Sequence, residues 1–561
     1  MQPQQIDVEV DVVDPQMERE RTQERLQAFG QSMSHQRDEW IRARYSYGVD
    51  KRWLEDEDQY NAKDNVNKAA SQMMTSVEQG YPVTTQNAKP HRSTVYIGLT
   101  RQKTNAAEAR ISDILLPTDD RNWGIKPTPK PKLMAMSRDT QMAGDKETGQ
   151  PLMNPDTGEP LAMRDIARAA MQTAREKSDA MQLEIEDQLV ECDYNGELRK
   201  VLHNSARLGT GVIKGPIVTN RTRKAWQPYK DMEGNTIHQL DIVNEVTPAS
   251  FSIDPRNVWP DPGCGDSIHN GKGIYEREQL TSRQVRDLAK QPGFMKDQLR
   301  KVLEEGPKKS ATFQELKDED QRDIARDVYE MWSYWGEVDH DDLEAAGIKV
   351  GEKDELRAVS ACVVMINSTI VKAFLNPLEG GDLPYDFYVW ERVADSVWGY
   401  GIPYLMRAQQ KVLNAAWRQM MDNAGVSSGP QIIVKAGAIQ PADKQWQISA
   451  RKIWFATDEV DDVRKAFTAV EFNSHQVELS GIIKMAMELA DMETGVPVIM
   501  QGEKGAAPDT VGGMQMLMNS ANVVLRRLVK QFDDMITRPH IRRYYDYNMM
   551  YNEDEEIKGD F

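Results

Sequence analysis

The chain has 561 residues, of which 39% are hydrophobic and 28% charged, and a net charge of −18. That length allows several cores, and the acidic balance argues against a free-standing nucleic-acid binder, whose affinity would need a basic footprint. The longest apolar-rich run, the 14 residues Ala358–Val371, is too short for a membrane helix, and "MQPQQIDVEVDVVD" lacks the basic and apolar regions of a secretory signal.

In chain order, dense charge without proline predicts a helix from Met17 to about Tyr47. Ser93 to Pro117 reads as a second helix, with Ser93 or Thr94 as N-cap, Ile97, Ala107, Ile111, Ile114 and Leu115 apolar, and Pro117 as the stop. Gly, Pro and polar residues over 130–160 predict a flexible insertion. A long helix follows over Met163–Asp193, then "LRKVLHNSARLG", closed by Gly209. Short β runs, "GVIKGPIV", "RKAWQPY" and "HQLDIVNEVTPASFSI", lead into the turn-rich "DPRNVWPDPGCGD". Thr281–Gly306 is helical, broken at Pro292-Gly293, and a second strand set runs from "ARDVYEMWSYWGEV" to "PYDFYVWERV".

After "GYGIP" comes the clearest amphipathic helix, Ile402–Ala424. Leu405, Val412, Leu413, Ala416, Trp417, Met420 and Met421 form its apolar stripe, with Arg407, Gln410, Lys411, Asn414 and Arg418 on the other side. "GPQIIV" is a strand, "FNSHQVELSGIIKMAMELADMETG" a helix, and "GVPVIMQGEKGAAPDT" a small-residue loop. Asp509–Tyr551 reads as one long helix in which Pro539 permits a kink.

Motifs for chemistry fail one by one. "QGEKGAAPDT" has its Lys before the last Gly, and "GTGVIKG" has the wrong spacing, so neither cradles a phosphate. Cys192, Cys264 and Cys362 stand far apart without a CxxC, which predicts neither a disulfide framework nor a zinc site. "EVDHDDLE" lacks the glycine of a calcium loop and reads as a solvated turn. No cofactor, metal or catalytic residue is expected, and the chain is not expected to be an enzyme. Taken locally, Ile402–Ala424 is equally a monomer core helix or an oligomer contact, and the glycine loop an ordinary surface loop. The 29 methionines suit subunit contacts or core filling alike.

Three segments together resemble the portal (head-to-tail connector) proteins of tailed bacteriophages, of the short-tailed type. They are "VTPASFSIDPRNVWPDP", "WGYGIPYLMRAQQKVLNAAWRQMMDNAG" and "METGVPVIMQG" followed by "DTVGGMQMLMNSANVVLRRLVKQFDDMI". Their order extends the resemblance over about Ser93 to Tyr551. It implies an α+β, mainly helical portal fold with wing, stem, clip and the start of a crown, assembled as a ring of commonly twelve subunits. By that likeness 1–270 is the N-terminal wing, 271–315 the first stem helix region, 316–395 the clip and 396–425 the second stem helix. Residues 426–495 return to the wing, 496–509 are the tunnel loop, and 510–561 run toward the crown and an acidic tail. Since relatives often carry further C-terminal helices, either this crown is short or the chain continues.

The resemblance also implies residue roles. Gln501, Gly502, Glu503, Lys504, Gly505, Ala506 and Ala507 would face DNA. Leu405, Val412, Leu413, Trp417, Met420 and Met421 would pack between stem helices, and Asp339, Asp341, Asp342, Glu344, Lys349 and Lys353 would form the clip surface. Implied partners are further copies of the chain, double-stranded DNA as a passenger, the terminase large subunit, head-tail adaptor and tail proteins, and major capsid and scaffolding proteins, with no membrane. The implied location is the portal vertex of the virion after assembly in the host cytoplasm. An acidic channel wall suits the role, because each cation bound to phosphate would have to be released at every step of DNA movement. The alternatives are another head-tail adaptor or tail-tube component, or a nucleic-acid-processing enzyme with an unrecognised site.

Overall fold

The computed structural model describes residues 15–64, 93–116, 122–128, 130–143, 161–230, 236–308, 328–350, 358–378, 381–429, 431–434, 439–442, 453–456, 467–495 and 524–552. In chain order the principal elements are α1 (Pro15–Ser46), α2 (Val49–Tyr60), α3 (Leu99–Leu115), α4 (Met163–Glu191), α5 (Tyr194–Leu208), β1 (Thr210–Lys230), β2 (Thr236–Ile253), β3 (Val258–Pro260) and β4 (Gly273–Thr281). Then come α6 (Ser282–Leu288), α7 (Lys296–Glu305), β5 (Val328–Val338), β6 (Val359–Ile366), β7 (Thr369–Leu375), β8 (Tyr385–Val389), β9 (Glu391–Val393) and β10 (Ser396–Tyr400). The remainder is α8 (Arg407–Ser427), β11 (Gln431–Val434), β12 (Ile439–Pro441), β13 (Trp454–Ala456), β14 (Phe467–Val470), α9 (Gln476–Thr494), α10 (524–532) and α11 (Arg538–Tyr551). The mixture of helix and strand is that of an α+β protein. The chain divides into two units, the first holding 1–54, 107–401 and 522–561, the second 55–106 and 402–521.

The first unit is organised by an antiparallel five-stranded sheet in the order β3-β4-β5-β6-β7. Side chains alternate across a strand, so Trp332 and Tyr334 of β5 point to one face and Tyr329 and Trp335 to the other. The first face takes α1, whose Leu26, Phe29, Met33, Trp40 and Ile41 are buried against Trp259, Tyr275 and Tyr334. Trp40 meets the Tyr275 ring edge-on at 5.0 Å, and the Tyr275 hydroxyl donates to the Met33 carbonyl at 3.1 Å. The second face takes α6 and α7 through Val285, Leu299 and Val302.

Strands β1 and β2 form one long hairpin paired from Val212↔Ile253 to Lys230↔Thr236, and β8 joins its base. The two β runs expected on either side of Asn220 are thus a single strand. Gly215-Pro216 shifts the register between Lys214 and Ile217 without ending the ladder.

The "GYGIP" glycines have a steric role. Gly209 ends α5 at φ +91°, and a Cβ there would collide with the Gly399 carbonyl oxygen. A Cβ on Gly401 would lie 2.7 Å from the Arg207 oxygen, so the β10 end presses directly on the end of α5. Gly209→Ala is therefore expected to cost about 2–4 kcal/mol, from left-handed strain plus displaced backbone. Gly425→Ala, at a helical position with nothing within 4 Å of the added Cβ, should be neutral or stabilising by about 0.5–1 kcal/mol. Denaturant unfolding of the two variants checks the contrast.

In the second unit, residues 93–98 are neither helix nor strand where the helix was expected, and α3 begins at Leu99. Side chains of α8 occupy their backbone: Ser93 N–H donates to Asp422 at 2.7 Å and Ile97 N–H to Asn414 at 3.1 Å.

Candidate functional site

Helix α8 shows how the second unit is held. Arg407 pairs with Asp56 at 2.6 Å and also with Glu55, and Arg418 pairs with Asp64 at 2.6 Å. Gln410 is fully buried; its carboxamide oxygen accepts from the Thr100 N–H at 3.0 Å and hydroxyl at 2.9 Å, and its Nε2 donates to the Ile97 carbonyl. Buried polar atoms need partners, and this carboxamide finds them in Ile97 and Thr100.

This corrects the expected stripe. The buried face of α8 includes Gln410, Leu413, Asn414 and Ala416, whereas Leu405, Trp417 and Met420 are half-buried and Val412 and Met421 are 48% and 38% exposed. Apolar periodicity located a stripe, but the carboxamides took the inner position because they satisfy polar groups of Ile97 and Thr100 that apolar side chains could not.

The helix packed on α8 is α9. Asn423 accepts from the His475 N–H at 3.0 Å, so the C-terminal end of α8 and the N-terminal end of α9 meet and the pair runs antiparallel. Between these ends the chain makes two short antiparallel ladders, β11 with β14 and β12 with β13. The inner side of α9 carries Leu479, Ile483, Ala486, Ala490 and Thr494, all buried. Ile482, Met485, Leu489 and Met492, spaced i, i+3, i+7, i+10, form a second apolar stripe that is 43, 62, 46 and 77% exposed. An apolar stripe of that extent on an otherwise acidic protein marks a surface built for contact. Gly495 ends α9 in the left-handed region at φ 64°. The expected DNA-facing residues, Gln501 to Ala507, lie outside the described residues, as does the start of the long helix at Asp509.

The segment expected as the first stem helix is not one continuous helix. Thr281–Gly306 is two short helices, α6 and α7, separated at Pro292-Gly293 with Gly293 at φ +83°, and both belong to the first unit. Their buried residues belong to the sheet core, which explains their amphipathic pattern. Of the strands expected as a clip, β5, β6 and β7 complete that unit's five-stranded sheet, while β8 pairs with β1 and β9 with β10. Asp341, Asp342 and Glu344 lie on the single-turn helix His340–Ala345, with Asp339 just before it and Lys349 just after. Leu343 anchors this turn in the α1 side of the core. Lys353 lies outside the described residues.

A polar chain that sequence reading missed lies in the first unit. Ser250, Asp386 and His540 are all buried; Ser250 Oγ is 2.8 Å from His540 Nε2, and His540 Nδ1 is 2.8 Å from Asp386. The order is that of a nucleophilic triad, but the serine is enclosed and also bonds the Tyr544 hydroxyl at 2.8 Å, and Asp386 divides its carboxylate between His540 and Arg543. Burial pushes Asp386 up, but Arg543 and His540 outweigh it and hold the carboxyl below its usual range. Burial likewise pushes the His540 imidazole down against the pull of Asp386. Arg543 also donates to the Gly215 carbonyl at 3.0 Å. The cluster therefore ties α11 to β1, β2 and β8, and its geometry is that of a clamp. Residues 250, 386 and 540 share no local pattern, so no motif could have found it. Among the described residues no group of metal-ligating side chains is brought together.

Residues 214–559, more than half of the chain, match the family model described as the phage SU10 portal protein. The chain belongs to the SU10 portal protein family. The resemblance to a portal of the short-tailed type is therefore established for the region that contains the β1–β2 hairpin, both helices of the α8–α9 pair and the C-terminal helices. Phage portal proteins are virion components, head-tail connectors that are structural rather than catalytic, and no described helix is long and apolar enough to cross a membrane.

Proposed function

We propose that the chain is the repeating subunit of a ring, of about twelve copies by family likeness, at one capsid vertex. The ring is the channel through which double-stranded DNA is packaged and ejected, and the platform for terminase, adaptor and tail proteins. The observation that carries this reading is the order helix, strands, helix along α8, β11–β14 and α9, with the small-residue sequence of 496–509 following in the chain. A portal stem requires two antiparallel helices per subunit, a clip at their shared tip and a tunnel loop after the second helix.

On this assignment α8 and α9 are the stem, 428–475 the clip, and the first unit, including the sheet once expected as clip, the wing. The acidic surface at Asp339 to Lys349 then belongs to the wing, and terminase and adaptor contacts move to the strands of 428–475. Capsid and scaffolding proteins would meet the wing. The loop with Lys504 beside Glu503 keeps its expected role, giving transient contact to passing DNA from small residues and one cation. Deleting Gly502–Ala507 is expected to leave rings with a central pore in negative-stain images while heads fail to retain full-length DNA. Normal, stably filled heads would overturn the loop's role, and a purified chain that never forms a ring would overturn the portal assignment itself.

A further inference from the structure

We infer that the outward face of the C-terminal helix is a phosphate-binding track for double-stranded DNA. The inference rests on the portal reading for its ligand, but its residues are separate from the tunnel loop. Against a net charge of −18, residues 524–543 hold Arg526, Arg527, Lys530, Arg538, Arg542 and Arg543 with only Asp533 and Asp534 opposing them.

The inner face of this helix is already committed. Leu525, Leu528, Phe532, Ile536, Ile541 and Tyr544 are buried, with Phe532 edge-on to Tyr388 at 5.0 Å and Gln531 donating to the Val389 carbonyl at 2.7 Å. Arg543 is consumed by Asp386, and Arg527 pairs with Glu391 at 2.9 Å. Arg526, Lys530, Arg538 and Arg542 remain exposed. Arg542 approaches Asp546 at 3.9 Å yet keeps 76% of its side chain exposed, and among the described residues no carboxylate pairs with the other three.

The helix backbone keeps these four aligned. Residues 526 and 542 are sixteen apart, which in a plain α-helix turns them about 160° from each other at about 100° per residue. Between them Asp533–Thr537 form a π turn, with Arg538 N–H donating to the Asp533 carbonyl five residues back. Pro539, the next residue, has no N–H and crowds the carbonyl of the preceding turn, which favours this widening. The additional residue removes about 100° of turn, so Arg526, Lys530, Arg538 and Arg542 fall within an arc of about 60°. Asp534, exposed inside the π turn, lowers the charge of the face but does not cancel it.

Four cations along about 24 Å of helix lie against a duplex carrying one phosphate per about 1.7 Å of axis. A solvated face is the ordinary fate of surface charge, but solubility is already served by the acidic majority. A register-correcting π turn that gathers the cations calls for a polyanion.

The test combines Arg526→Gln, Lys530→Gln, Arg538→Gln and Arg542→Gln in the full chain and follows binding of a fluorescein-labelled duplex across a salt series. The plot of log affinity against log salt should flatten by about 3–4, at about 0.9 for each phosphate no longer neutralised. Lys530→Gln alone should flatten it by about 0.9, and Arg168→Gln with Arg175→Gln, exposed on α4, should leave it unchanged. An unchanged slope in the quadruple variant overturns the inference. So does loss of the ring with unchanged DNA affinity, which would assign the stripe to an acidic surface of a neighbouring copy. Flattening in a protein that forms no ring would support the track and sink the portal assignment instead.

Discussion

Asp386→Asn is expected to destabilise the first unit by about 3–5 kcal/mol, the cost of leaving a buried cation without its partner. The carboxylate serves two groups at once, His540 Nδ1 at 2.8 Å and the buried Arg543, and asparagine can accept from one of them but carries no charge. Arg543 cannot escape by losing its proton, so the guanidinium keeps the Gly215 carbonyl but loses its carboxylate. The same cluster predicts acid lability. His540 has a depressed pKa in the folded chain, so below the unfolded value of about 6.5 the unfolded state binds the additional proton and stability falls. Asp386, also depressed, contributes stability that is complete above the unfolded value of about 3.9 and is lost as pH falls through its folded pKa. Both act in one direction, with His540 setting the onset. Thermal melts from pH 7.5 down to 5 should show the decline, and His540→Asn should remove its upper part. A flat profile over that range in the unsubstituted protein would mean that another group compensates for the buried imidazole.

What could be read from the residues beforehand was the set of local elements. Charge density without proline marked α1, Gly209 marked the end of α5, Pro292-Gly293 marked the break between α6 and α7, and Pro539 marked the irregularity of the last helix. The run "ARDVYEMWSYWGEV" announced a strand, but not that both of its faces are covered, one by α1 and the other by α6 and α7. The failures concern which elements meet. Local pattern cannot distinguish an amphipathic helix that backs a sheet from one that joins a helix pair: Thr281–Gly306 backs the sheet of the first unit, and α8 packs with α9. Nor can it weigh a carboxamide that satisfies buried backbone against a valine, and so Gln410 and Asn414 lie inside while Val412 lies outside. The track on α10 and α11 was hidden for a related reason. Its cations drift around a regular helix and align only once the π turn is counted.

Met485→Asp with Leu489→Asp is expected to abolish ring formation and leave the isolated subunit folded. Both side chains stand on the exposed stripe of α9, on the side away from Leu479, Ile483 and Ala486, so the substitution removes nothing from the subunit's own core. Covering a methionine or leucine contributes about 1.5–3 kcal/mol, and an unpaired carboxylate carried into the same interface costs several more. In a heterologous cyclic interface every subunit repeats the defect, so closure fails at each junction together. Sedimentation velocity should then show monomers where the unsubstituted chain gives a ring-sized species, with matching far-UV circular dichroism. The stripe of α8 supplies the comparison. Trp417 is half-buried and closer to the helix pair, so Trp417→Asp should lower the melting temperature of the subunit as well as its assembly. Rings that persist with aspartate at 485 and 489 would mean that this side of α9 is solvated in the assembly. The subunit interface would then fall to the exposed apolar positions of α8, Val412, Met421 and Val426.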